Sequence, residues 1–261
     1  MQVEIFAKRR KDSLIFLILL IFATLASIII TEYDVVKGFT SIIKAVTWGI
    51  SNFYPDVKAM TKLPSILLKL QETVLISIAS TTVAAAFAMA LALLGSSTTR
   101  INNSLSMISR AIASIFRNIP IVSWGMVLLM SFGQSSLTGY LALFFISLGF
   151  LTRAFMETID EVGSHSVEAL KATGADYFHI VFQAVLPASM PQIISWLLYT
   201  IETNIRHATL VGILTGTGIG FSFELYYKSM NYHAASLVVI LIVITVFLIE
   251  YVSNYIRKVV L

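Results

Sequence analysis

Cysteine is absent from this chain of 261 residues, which excludes a disulfide framework and any thiolate metal or redox centre. Charge is scarce as well. Asp, Glu, Lys and Arg together make up 12% of the sequence against 57% hydrophobic residues, too few polar groups to cover a soluble core of this size. The sequence contains no G-x-x-x-x-G-K-[ST] loop for nucleotide phosphates, no H-E-x-x-H pair for zinc and no serine elbow. Its histidines, His165, His179, His207 and His233, lie scattered, so neither a metal site nor a catalytic residue is expected, and no cofactor is called for. The formal charge of +4 does not point to nucleic acid, because the basic residues sit in short groups at the ends of apolar runs. What remains is an all-α integral membrane protein in contact with lipid.

Its apolar runs are expected to give six transmembrane helices. Leu14–Ile30 follows Lys8-Arg9-Arg10-Lys11 and reads as a signal anchor in preference to a cleaved signal peptide, there being no small-x-small site behind it. Residues 31–65 mix lysines with Trp48, Phe53 and Tyr54, the composition of an interfacial segment. Further spans are expected over 73–95, over 119–132 behind an amphipathic lead-in at 109–116, over 137–151, from Pro187 onward, and over 234–252. Residues 1–65 thus form an anchor with an outer segment, and residues 66–261 one helical membrane domain. With both termini cytoplasmic, most basic residues fall on the inner side, as the positive-inside rule requires. The lysines between the first two spans are the exception.

Residues 157–187 interrupt this pattern on the same inner side. Glu168 and Lys171 are three apart, at ion-pair spacing, while Val167 and Leu170 share a face, giving a short helix between Gly163 and Gly174. Gly174 can supply the left-handed stop. Tyr177, Ile180, Val181 and Ala184 then repeat at helical spacing, and Leu186-Pro187 is expected to turn the chain back into the membrane. Read from the residues alone, this is either a connector on the membrane surface or a lever for a partner.

The pattern Glu168-Ala169, then Gly174, then Ala184-x-Leu186-Pro187 closely resembles the "EAA" signature of permease subunits of bacterial ABC importers. It departs at Leu170, where that family has a second alanine, and at Ala184, where it often has isoleucine; both positions stay apolar. The resemblance implies that Glu168, Ala169, Leu170, Gly174, Ala184, Leu186 and Pro187 build cytoplasmic coupling helices that dock on a separate ATP-hydrolysing subunit. The chain itself is then a transporter subunit and no enzyme.

Glu202, Arg206 and His207 fall in the fifth span, where ionisable groups are costly and mark a protein-lined or watery environment. Glu202 and Arg206 are spaced for an ion pair with the acid first. Two roles stay open for that pair: neutralising itself to fix packing, or leaving guanidinium donors for a passing anion. Gly212, Gly216, Gly218 and Gly220 beyond it read as a turn or close helix contact, or as a backbone nest for an anion.

The run Glu202-Thr-Asn204-Ile-Arg206-His-Ala-Thr-Leu-Val-Gly212 with Gly216-Thr-Gly218-Ile-Gly220 looks like a segment of phosphonate ABC importer permeases. Glu72-Thr73 and Arg117-Asn-Ile-Pro120 agree with that family too. This similarity, running from about Glu72 to the end, implies a type I importer permease that moves a phosphonate or related phosphorus oxyanion by alternating access. It also implies a second copy of the permease, two ATPase subunits, an extracytoplasmic substrate-binding protein, and Arg117 near the cytoplasmic mouth. Permeases for methionine or another oxyanion share the same plan, and a channel or intramembrane enzyme is the rival from another class.

Overall fold

The computed structural model describes residues 2–260, and side chains throughout except at 2–8, 163–166, 168, 169, 171 and 260. All regular structure among the described residues is helical. The chain divides into two compact units, one ending at Tyr54 and one beginning at Pro55.

The first unit holds α1 (Gln2–Ile30) and α2 (Val35–Asn52). α1 carries the apolar run Arg9–Ile30, long enough to cross a bilayer. α2 starts where the Asp34 side chain accepts from the Lys37 amide at 2.8 Å, a helix cap, and it takes up much of the segment after the anchor.

The second unit runs through α3 (Val57–Met60), α4 (Leu63–Gly95), α5 (Asn103–Asn118), α6 (Ile121–Phe132), α7 (Ser136–Ala172), α8 (Tyr177–Ile180), a π-helical turn (Val181–Val185), α9 (Leu186–Thr215), α10 (Gly218–Lys228) and α11 (Tyr232–Val260). Its centre is the pairing of α4 with α7. Thr73, Ser77, Thr81, Ala84, Ala88, Ala92 and Gly95 form a buried stripe of small residues along α4. Lipid tails are as apolar as leucine, so burial alone does not drive helices together; small side chains do, by letting backbones approach. Leu148, Leu151, Phe155 and Ile159 of α7 fill the facing core.

The third span is not one straight helix: α5 and α6 meet at 91°, so the chain has five helices fit to cross a membrane, or six if this bent pair counts as one. The elbow has a local cause. Pro120 disfavours helical geometry in the residue before it, and Ile119 is extended at φ −86°, ψ 120°. The stacked rings of Phe116 and Trp124, with Phe145 about them, brace the corner.

The second span begins ten residues earlier than expected, at Leu63. No separate helix lies between Gly163 and Gly174, because α7 continues unbroken for 37 residues. A mid-helix glycine costs only about 1 kcal/mol relative to alanine, and no proline is present to stop the helix. At 1.5 Å per residue α7 is about 55 Å long, so it projects roughly 25 Å beyond a hydrocarbon core of about 30 Å. Finally, Leu186-Pro187 makes no turn: Tyr177–Thr215 runs on as one element. The π-helical turn explains this, since the Leu186 amide reaches back to the Val181 carbonyl and the widened turn accommodates the ring of Pro187.

Candidate functional site

Two groups of residues converge away from the general packing. The first is the end of α7 with the segment after it. α7 stops because Gly174 takes φ +78°, which turns the Ala175 amide onto the Leu170 carbonyl at 3.1 Å, a Schellman closure. Nothing crowds the Cα of Gly174, so its backbone angle alone requires glycine there. Asp176 precedes α8 as expected but makes no side-chain cap. Val167, Ile180, Val181 and Val185 are buried, with Leu170 and Ala175 half-buried against the same core, which anchors the segment. Ala184 and Leu186 are half-buried too, and Pro187 is exposed. Phe178 and Phe182 point outward at 65% and 62% exposure. The side chains of Glu168, Ala169 and Lys171 lie outside the described residues, and with them the Glu168–Lys171 pair.

Beside this segment lies an open groove of about 450 Å³, bounded by Thr98, Arg100 and Ile101 on one side and Tyr177, Phe178 and Val181 on the other. Its second wall, from residues 98–101, carries no mark in the sequence. Asp160, near the projecting end of α7, holds that wall in place: it accepts from Ser96 Oγ at 2.5 Å and from the Thr98 amide and hydroxyl, each at 3.1 Å. An acid in a helix whose partners, Ser96 and Thr98, lie more than sixty residues away carries no local signature.

The second group surrounds a cavity of about 260 Å³ among α5, α7 and α9. Thr200, Thr203, Asn204 and His207 of α9 line it, at the spacing of one helix face, together with Ser147 and the apolar Ile146 and Phe150 of α7. Arg117 reaches it from the last turn of α5. Gly149 makes this approach possible. A Cβ on it would overlap the backbone of Phe116 and Arg117, so only glycine lets α5 lie against α7 here. Arg117 also borders a second, polar cavity of about 390 Å³ with Asn118 and the Arg153–Glu157 pair.

Asn204 joins the three long helices. Its amide nitrogen donates to Thr81 Oγ1 of α4 at 2.7 Å and to Ser147 Oγ of α7 at 2.6 Å. Both hydroxyls already give their protons to backbone carbonyls, of Ser77 and Leu143, so the amide must be the donor. The structure therefore brings Arg117 and Asn204 together but leaves Arg206 outside the cavity lining. Arg206 Nη2 pairs with Glu202 Oε1 at 2.9 Å, and the other oxygen of this buried carboxylate lies 3.9 Å from Arg257, a partner from α11 that i,i+4 spacing cannot reveal.

The glycines divide by role. Gly216 and Gly218, at φ +69° and +61°, make the turn between α9 and α10. Gly212 and Gly220 lie within those helices, where each has the other helix's backbone too close for a side chain. Thr73 secures the arrangement by accepting from the Ile219 amide at 2.8 Å, and its neighbour Glu72, paired with Lys69 within α4, accepts from Ser136 of α7. Sequence reasoning missed Gly149, Asp160 and Thr203 and left His207 without a role. A polar stripe at 200, 203, 204 and 207 in an otherwise greasy helix is the signal that would have found the α9 face.

Residues 88–260 match the family model described as "Binding-protein-dependent transport system inner membrane component". The chain is 30% identical over 187 residues to the phosphite transport system permease protein PtxC of Stutzerimonas stutzeri, covering 72% of this chain and 68% of that one. It is 28% identical over 187 residues to the phosphate-import permease protein PhnE of Mycolicibacterium smegmatis, covering 72% of this chain but only 35% of that longer protein. In fold it is similar to the membrane chain of the inward-facing MetNI methionine ABC transporter, with a TM-score of 0.68 at 21% identity over 79% of this chain and 99% of that one.

Proposed function

The chain belongs to the family of binding-protein-dependent transport system inner membrane components, and on that footing we propose that it is the permease subunit of an importer for phosphonate or a related phosphorus oxyanion. Its resemblance to phosphite and phosphate-import permeases supports this substrate class. The observation that carries it is the charge inventory of the 260 Å³ cavity: Arg117 is its one fixed charge, and no carboxylate lines it. A guanidinium suits a phosphoryl-type oxyanion, whereas methionine is a zwitterion whose ammonium group finds no carboxylate in this lining.

In this reading ATP is hydrolysed on two copies of a cytoplasmic partner that grip residues 157–187. That segment is built to transmit force, its inner face fixed in the core and its outer face bearing two exposed phenylalanines. Packed elements move as bodies, so closure of the ATPase dimer tilts α7 and α9 and opens the pathway alternately to each side. A binding protein delivers substrate from outside, a second copy of the chain completes the pathway, and both termini face the cytoplasm.

Uptake of radiolabelled methylphosphonate, phosphite and methionine into vesicles bearing the whole importer tests the proposal. ATP-dependent accumulation of a phosphorus compound is expected. Saturable methionine uptake with neither phosphorus compound moving would overturn it.

A further inference from the structure

We propose that Arg117, Thr203 and His207 hold the oxyanion inside the cavity, and that Asn204, beside them, shapes the site without touching substrate. The proposal rests on the reading of the chain as a permease for phosphorus oxyanions.

The argument is an accounting of donors. Asn204 has two amide protons and spends both, on Thr81 and Ser147. What it can still offer is a carbonyl oxygen, which repels an anion. Ser147 gives its proton to the Leu143 carbonyl and Thr200 gives its own to the Trp196 carbonyl. Four polar groups of the lining are unspent, and one of them, the Tyr199 hydroxyl, belongs to a residue 43% exposed. Thr203 Oγ1 and His207 Nδ1 are shielded from solvent and have no hydrogen-bond partner, though both belong to residues that line the cavity. They stand one helical turn apart on α9. Arg117 makes no ion pair among the described residues, in contrast to Arg153, Arg206 and Arg257, each of which has an acid within 4 Å.

An oxyanion with several acceptor oxygens can take a forked pair of N–H donors from the guanidinium and a single donor from each of the other two groups. Ile146 and Phe150 in the same wall give an apolar seat for a short carbon substituent on phosphorus. Arg117 borders the neighbouring polar cavity as well, so the group that neutralises the anion also faces the next compartment on its route.

The test uses the complete importer, this chain with its ATPase and binding protein, in proteoliposomes with radiolabelled methylphosphonate. Removing a donor to a charged group should raise the half-saturation concentration about tenfold or more for Arg117→Met, and about fivefold for Thr203→Val and for His207→Phe. ATPase co-purification should be normal in all three. Because the chain has no cysteine, Thr200→Cys places one thiol in the cavity wall. Methylphosphonate should slow its alkylation by maleimide, and should fail to do so once Arg117→Met is added. Normal half-saturation in the Thr203 and His207 variants, or protection that survives loss of Arg117, would overturn the assignment while leaving the substrate class intact. An unmodified importer that carries methionine and no phosphorus compound would instead remove the functional reading beneath it.

Discussion

The segment 157–187 and the cavity of α5, α7 and α9 are both built on α7, yet they are specified in different ways. The first is local. Its stop at Gly174, the half-buried Leu170 and the apolar face of Ile180, Val181 and Val185 all lie within twenty residues of one another. The second is assembled from distant parts: Arg117, Ser147 and the 200–207 stripe meet only because Gly149 lets two backbones touch and Asn204 stitches three helices at one point. A lever has to be stiff within itself, whereas a pathway that opens to alternate sides has to be made of elements that can part. Single changes in the two regions should therefore fail differently, one by disconnecting the motor and the other by spoiling the route.

The sharpest separation should come from Gly174→Val. A β-branched residue at φ +78° is strained by about 1–2 kcal/mol or more, so the Schellman closure opens and the segment after it loses its angle. Uptake and ATPase co-purification should both disappear while the membrane level of the chain is kept, and Gly174→Asn, which tolerates the left-handed region, should restore part of each. Normal uptake by the valine variant would mean that the closure at Gly174 transmits no force. Gly149→Ala should come next. The added methyl meets the α5 backbone, an overpacking that costs about 1–3 kcal/mol, and it displaces Arg117. Uptake should fall about tenfold with the ATPase still bound; loss of ATPase binding would mean that the two regions are one mechanical unit.

Legibility followed the same division. The stop at Gly174 and the inward face of α8 were readable because turn and amphipathic signals are carried by neighbours in sequence. Equally readable was the Glu202–Arg206 pair, four residues apart on one helix. Continuity was not: the uninterrupted α7 and the helical path through Pro187 depend on packing and on a π-helical turn that tertiary context stabilises. Nor was the elbow at Pro120 foreseen, although the proline that causes it stands in the quoted motif. For the cavity, the sequence offered Arg117 and Asn204 as separate fragments of a pattern and placed most weight on Arg206. Which arginine lines the cavity is decided by helix rotation and by Gly149, and neither is encoded within a few residues of the arginines themselves.

Asp160→Ala should have an intermediate effect, since it belongs to the groove wall and leaves the Ser96 and Thr98 donors without their acceptor. Removing the partner of half-buried donors costs about 1–3 kcal/mol, so the 96–101 wall should loosen. ATPase co-purification should weaken with the half-saturation for substrate unchanged. A shift in half-saturation instead would tie Asp160 to the route.

The smallest effect is expected from Arg206→Ala, and it is the most informative about the cavity. The Arg206 side chain is 45% exposed, and a pair so solvated is worth roughly 0.2–1 kcal/mol. Its carboxylate partner keeps Arg257 within 3.9 Å, so Glu202 is not left without a cation when Arg206 is removed. Uptake should therefore fall less than about threefold, against about tenfold or more for Arg117→Met measured in parallel. If the two variants lose uptake equally, Arg206 meets the substrate at another stage of the cycle, and the route extends past the cavity onto the Glu202 side of α9.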